Sequence, residues 1–160
     1  MKEYPNIIVP QKGRGFFGIG IECASSTKNI GTIWRSAQVL GADFMFIIGK
    51  RYETMKTDTM KSWKHIPLFE YSDLSHFLSS IPKGTTLVGI ELSERSQPLM
   101  EYTHPERSIY LLGSEDRGLS KESLDACHEV VQIPGKFSLN VSVAASIVMY
   151  DRLLKKGVIS

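Results

Sequence analysis

Five consecutive apolar residues, Phe44–Ile48 (FMFII), sit between Asp43 and Gly49 and constrain this chain more than any other feature. A strand with one wet face alternates apolar and polar side chains. An unbroken apolar run bounded by turn signals instead reads as a strand buried on both faces, as in a parallel sheet covered by helices. The neighbouring sequence agrees. Ile30, Ile33, Trp34, Ala37 and Leu40 recur at helical spacing on one stripe. Ser26 or Thr27 can cap that helix, and Gly41 ends it.

Further strands are predicted over residues 17–22, 86–92, 108–112 and 129–133, with a weaker one over 66–69 that Pro67 counts against. Helices are predicted from a Ser72 cap through Leu78 to the break at Pro82-Lys83-Gly84, from Ser120 onward, and over 141–154 with Asn140 as cap. The last is apolar or small nearly all round, which predicts burial on every side, against the sheet and a second subunit. Strands alternating with helices predict an α/β fold with a parallel sheet. Its 160 residues contain no internal repeat, low-complexity tract or linker. The expectation is one domain over 1–160, with no separate extension.

Composition excludes several classes of function. Hydrophobic content of 42% and charged content of 22% are those of an ordinary globular domain. Cys23 and Cys127 stand far apart with no CxxC or Cys/His cluster, so no metal and no disulfide framework is expected, and a cytoplasmic location is. No apolar run approaches the roughly 20 residues of a membrane span, and the start lacks a signal-peptide core. Gly18-Ile19-Gly20 lies inside a strand pattern and Gly13-Arg14-Gly15 lacks a third glycine, so neither is a dinucleotide fingerprint. No Walker A sequence is present. His65, His76, His104 and His128 stand near no Ser or Cys nucleophile motif.

The net charge of +2 is unevenly spread. Lys50, Arg51, Lys56, Lys61 and Lys64 oppose only Glu53 and Asp58, so that window carries +3. Tyr52 and Trp63 are interleaved with these cations, a pattern suited to phosphates and unstacked bases as well as to a plain solvated loop.

Two segments of the last third carry the chemistry: IYLLGSEDRGL over 109–119 and VQIPGKFSLNVSVAASIV over 131–148. Each is a short strand entering a turn of Gly, Ser and small polar residues before a helical pattern. In open α/β sheets ligands bind at such strand ends, and two together predict a shared pocket. On residues alone, Gly113 to Gly118 reads equally well as a tight connection, Asn140 as a simple cap, and Arg35 as a solvated side chain off its helix's apolar stripe.

With NIGTIWRSA over 29–37, these segments form three motifs that resemble the SpoU/TrmH branch of the SPOUT superfamily, knotted RNA 2′-O-ribose methyltransferases. G-x-E-x-x-G-L matches the second motif and S-L-N-V-S-V-A the third, residue for residue. The match runs from about residue 29 to 148. The stretch PGKFSLN before the third motif is short for the family, which leaves the placement of Lys136 and Phe137 open.

The resemblance implies a parallel-sheet SPOUT fold with a C-terminal trefoil knot, a homodimer with the site across its interface, and S-adenosylmethionine as methyl donor. By the same resemblance Asn29, Arg35, Glu115, Ser138 and Asn140 form the catalytic set, with Arg35 activating the ribose hydroxyl. Ile90, Glu91, Leu112, Gly113, Ile133, Ser138 and Leu139 would bind the donor, Gly113 lying against it. The implied substrate is RNA, tRNA first, contacted by Lys50, Arg51, Lys56, Lys61 and Lys64. An rRNA substrate, or a knotted RNA-binding protein without catalysis, are the alternatives. Which nucleotide is methylated, which subunit supplies Arg35 and what accepts the proton are open at this level.

Overall fold

The computed structural model describes Ile8, residues 13–49 and residues 65–157. The basic window with Lys50, Arg51, Lys56, Lys61, Lys64, Tyr52 and Trp63 lies outside the described residues.

Seven strands form one sheet: β1 Phe16–Glu22, β2 Phe44–Ile48, β3 Leu68–Tyr71, β4 Thr86–Ile90, β5 Gln97–Pro98, β6 Arg107–Leu112 and β7 Glu129–Gln132. Their order is β3-β2-β1-β6-β4-β7-β5, and every pairing is parallel. Helices α1 Thr27–Val39 and α4 Val141–Lys156 cover one face, and α2 Leu74–Ser80 and α3 Lys121–Ala126 lie against the other. The β2 run behaves as its sequence demands. Met45 and Ile47 pack beneath Ile30, Ile33 and Trp34, while Phe46 and Ile48 point to the opposite side with Phe77 and Leu111. Gly18 and Gly20 in β1 make room for the β2 rings, since a Cβ would come within 2.3 Å of the Phe44 ring and 2.5 Å of the Phe46 ring.

Several boundaries differ from expectation for identifiable reasons. β3 starts after Pro67, whose carbonyl accepts from Met45 N–H at 2.9 Å while its missing N–H is not needed. Asp73, not Ser72, caps α2, its carboxylate accepting from His76 N–H at 2.8 Å. Ser26 occupies the α1 cap position without a side-chain cap bond, and Gly41, at φ +84°, follows that helix in the left-handed conformation glycine tolerates. Ser120 and Asn140 cap α3 and α4 as predicted. β4 ends at Ile90 and β7 at Gln132, one or two residues early.

The two-residue β5 and the single 3-10 turn Leu99–Glu101 after it are additions to the predicted set. They matter to the topology. β7 sits between β4 and β5, which are themselves joined by the arch of residues 91–96.

Within the single chain α4 is buried on one side, and the side expected to meet a second subunit is open. Val141, Ala145, Val148 and Met149 are buried, but Val143, Ile147, Tyr150 and Leu154 form an exposed stripe. Its far end is pinned by buried polar groups. Arg152 donates to the Pro105 and Glu106 carbonyls, the Ser108 hydroxyl and Tyr110 Oη at 2.6–3.0 Å. His104 joins Tyr110 Oη at 2.6 Å and Asp151 at 2.8 Å. Burial lowers the His104 pKa against the opposing pull of Asp151. With that end fixed, the α4 N-terminus and Asn140 are held at the opposite edge of the sheet.

Candidate active site

The site forms where β1, β4, β6 and β7 end and α1 and α4 begin. After β6 the chain folds back on itself. Ser114 and Gly118 form an antiparallel bridge, and Gly118 N–H donates to the Ser114 carbonyl at 3.0 Å. This turn presents Glu115 to the start of α1. Glu115 accepts from the Ser25 amide at 3.1 Å and hydroxyl at 2.6 Å, and from Asn29 Nδ2 at 2.6 Å. Asn140 Nδ2 in turn donates to Asn29 Oδ1 at 3.3 Å. The other side of the Asn140 amide, Oδ1, accepts from Ser142 N–H at 2.9 Å. Three of the five expected catalytic residues, Asn29, Glu115 and Asn140, are thus one hydrogen-bonded chain across segments 86 to 111 residues apart in sequence.

Partial burial works to raise the Glu115 pKa. Hydrogen bonds from Ser25 and Asn29, with the Glu115 and Ser25 amides, outweigh it and hold the carboxyl at about 2. The folded value lies below the ordinary 4.5. The network's stabilisation is therefore complete above that pH and is lost as pH falls from about 4.5 towards 2. Glu115→Gln should flatten the decline of thermal midpoint across that window, and superimposable pH profiles for variant and wild type would contradict it.

Two further carboxylates, absent from the predicted catalytic set, hold the loops. Buried Glu22, at the end of β1, accepts from Ser120 N–H and both the Ser120 and Ser123 hydroxyls at 2.7–3.0 Å. Glu91, at the end of β4, accepts from Leu92 N–H at 2.9 Å and Leu119 N–H at 2.8 Å. An acidic residue ending an apolar strand was the available signal for Glu22. Ser25, whose two bonds make it the main partner of Glu115, stands just ahead of the first motif and carries no signal of its own.

Beside this network lies a cavity of about 390 Å³, within the range of small-molecule sites. Its walls include the expected Ile90, Glu91, Ile133, Ser138 and Leu139, together with Leu92, Gln132, Pro134 to Phe137, and Ala144. The walls combine apolar side chains with backbone groups. Among the described residues, no backbone group over 133–139 has a backbone hydrogen-bond partner. Backbone donors and acceptors without such a partner stand there beside apolar surface, a setting for a polar ligand that carries a flat ring. That combination fits an adenosine joined to an amino acid.

Three of the expected residues stand outside these walls in the single chain. Leu112 and Gly113 are buried but are not among the cavity walls. The missing Cβ of Gly113 faces the backbone of Gly118 and Leu119, at 2.0 and 2.1 Å, so its smallness serves the turn itself. Arg35 is exposed on α1 and is not among the cavity walls of its own chain. It lies one turn beyond Thr32, which lines a groove under the exposed stripe of α4. Among the described residues no group of three His, Cys, Asp or Glu could hold a metal ion, and no helix is long and apolar enough to cross a membrane.

Residues 19–150 match the SpoU rRNA Methylase family, and the chain belongs to it. The mouse (Mus musculus) protein tRNA (guanosine(18)-2'-O)-methyltransferase TARBP1 is 29% identical over 134 residues, 77% of this chain and 8% of that protein. The chain spans between 8% and 55% of the length of curated relatives such as this one and a TrmH family homologue of Staphylococcus saprophyticus. Among solved structures, one described as "Structural insights into the 2-OH methylation of C/U34 on tRNA" aligns with TM-score 0.76 at 23% identity, over 88% of this chain and 96% of that one. The SpoU methyltransferase AviRb of Streptomyces viridochromogenes, solved with AdoMet, aligns with TM-score 0.77 at 23% identity, over 89% of this chain and 58% of that one. These structural likenesses establish the fold in common.

Proposed function

We propose that this chain transfers the methyl group of S-adenosylmethionine to a ribose 2′-hydroxyl of RNA, most directly tRNA. The observation that carries the reading is the continuity of the Ser25–Glu115–Asn29–Asn140 network with the ligand-sized cavity through Ser138 and Leu139. The donor supplies an electrophilic methyl carbon with its own leaving group. What the chain must do is align the attacking oxygen and stabilise charge growing on it. The cavity walls at Ile90, Ile133, Ser138 and Leu139 would hold the adenosine and amino-acid parts. Asn29 and Asn140, each fixed by its partners, and Ser138 would orient the ribose.

Arg35 would stabilise the developing alkoxide as a cation. A guanidinium essentially never deprotonates, so it is no general base. Glu115 is equally unsuited to accept the proton, because its carboxylate oxygens are committed to Ser25 and Asn29. The proton therefore passes to a substrate phosphate or water. Labelled donor incubated with tRNA and rRNA pools tests the reaction, followed by nuclease mapping. A methyl on a base, or no transfer to either pool, would overturn it.

The reading includes a homodimer. Val143 (47% exposed), Ile147 (38%), Tyr150 (58%) and Leu154 (70%) recur along one side of α4, an apolar stripe that is a liability on a monomer. Thr32 lines the groove beneath it and Arg35 stands one turn further along α1, so a second copy seated there would bring each Arg35 near the subunit boundary. Ile147→Glu with Leu154→Glu should yield monomers in sedimentation and lose methyl transfer; a dimer retained by that variant would move the interface elsewhere. The reading also includes a C-terminal trefoil knot, with which the strand order β4-β7-β5 is compatible. Contact with RNA through Lys50, Arg51, Lys56, Lys61 and Lys64, and a cytoplasmic location, complete it.

A further inference from the structure

Phe137 is 87% exposed, more than any other large hydrophobic residue among those described. It stands on the wall of the cavity, between exposed Lys136 and Ser138 and three residues before Asn140. Leaving a phenyl ring in water forgoes the stabilisation that burying it would bring, and the deep apolar walls of Ile90, Ile133 and Ala144 are close by in the same cavity. The ring is nevertheless left almost fully exposed. Its neighbour Lys136 is also exposed, so the loop offers an apolar plane and a cation side by side. This is the pairing that grips single-stranded nucleic acid: an aromatic face for a base and a cation for the adjoining phosphate.

We propose that Phe137 is a substrate-positioning residue that stacks on a base of the RNA at or next to the methylated nucleotide, with Lys136 taking the neighbouring phosphate. The proposal rests on the methyltransferase reading above. Because the ring sits three residues from the Asn140–Asn29 pair, a base held on it places its ribose beside the catalytic network. Stacking is tolerant of base identity, so the contact selects an unstacked nucleotide and leaves sequence choice to other contacts.

The test compares Phe137→Ala, Phe137→Leu and Phe137→Trp in the full chain. Donor affinity is measured by calorimetry with S-adenosylmethionine alone. RNA affinity is measured by anisotropy with unmodified tRNA transcripts, and KM and kcat are measured on the same RNA. Phe137→Ala should raise the RNA Kd and KM about tenfold, with donor Kd and kcat changed less than about twofold, a mark that binding and not transition-state stabilisation was lost. Phe137→Trp should retain RNA affinity, and Phe137→Leu, apolar but not aromatic, should not.

Donor affinity falling in step with RNA affinity would overturn the proposal by making the ring a cover for the donor. A shift to monomers in sedimentation of Phe137→Ala would overturn it by making the ring a subunit contact. Unchanged RNA affinity and KM, with wild type methylating RNA, would overturn it while leaving the methyltransferase reading intact. Wild type that neither binds nor methylates RNA would overturn both, and by that wild-type result the two failures are told apart.

Discussion

Arg35→Ala is expected to reduce methyl transfer by about 10²–10³-fold, the scale of losing one preorganised group that stabilises a developing oxyanion. Donor affinity should change little, because Arg35 is not among the walls of its chain's cavity. The folded state should be equally indifferent, since Arg35 is exposed on α1 while Ile30, Ile33, Trp34 and Ala37 bury the opposite stripe. Arg35→Lys separates charge from shape. A lysine keeps the positive charge but lacks the rigid planar fork, so it should recover only a small part of the rate.

The subunit boundary makes a second readout available. If Arg35 serves the cavity of the partner, mixing Arg35→Ala with a variant defective in the donor cavity should restore activity in heterodimers. Near-normal turnover in Arg35→Ala would remove the residue from the mechanism altogether. Equal loss in the heterodimers would return Arg35 to its own chain's site.

The parts legible in the sequence are those in which a local pattern has a single physical solution. The unbroken apolar run of β2 admits only a strand covered on both faces, and Met45 and Phe46 indeed enter the two opposite core clusters. The spacing of Ile30, Ile33, Trp34 and Ala37 likewise has one reading, a helix with one buried stripe. Less was legible where neighbours compete. Ser72 and Asp73 can each cap a helix, and His76 decides between them: its ring nitrogen takes the Ser72 N–H at 3.3 Å while its amide goes to Asp73. β5 is two residues long and contains a proline, so its strand character comes from pairing with β7 rather than from its own composition.

Partners distant in the chain were legible only through the motifs. Glu115 could be singled out, but its bond to Ser25, 90 residues away, depends on how the strand ends meet. The exposed side of α4 is the same kind of case. From Val141 to Met149 the helix is apolar or small nearly all round, and only the packing of α1 and the sheet against it shows which residues are left over.

Gly113→Ala should destabilise the fold and weaken donor binding together, although one methyl is the smallest change that can be made there. A Cβ at this position would lie 2.0 Å from the Gly118 carbonyl carbon, 2.1 Å from Leu119 N and 2.4 Å from the Gly118 oxygen. All three are main-chain atoms, which cannot swing aside as a flexible side chain can. Moving them disturbs the Leu119 N–H bond to Glu91, a cavity wall, and the neighbouring Ser120 contacts with Glu22. Overpacking costs about 1–3 kcal/mol in ordinary cores, and a main-chain collision belongs at the upper end. At about 2–4 °C per kcal/mol for a domain of this size, the thermal midpoint should fall by roughly 6–12 °C. Gly135→Ala is the contrast: Gly135 also lines the cavity, but the nearest atom to its added Cβ is the Phe137 oxygen at 3.5 Å. That variant should keep its midpoint. Were Gly113→Ala to lose the donor with its midpoint unchanged, Gly113 would touch the donor directly, as the family resemblance implies, and the turn-closing role would be wrong.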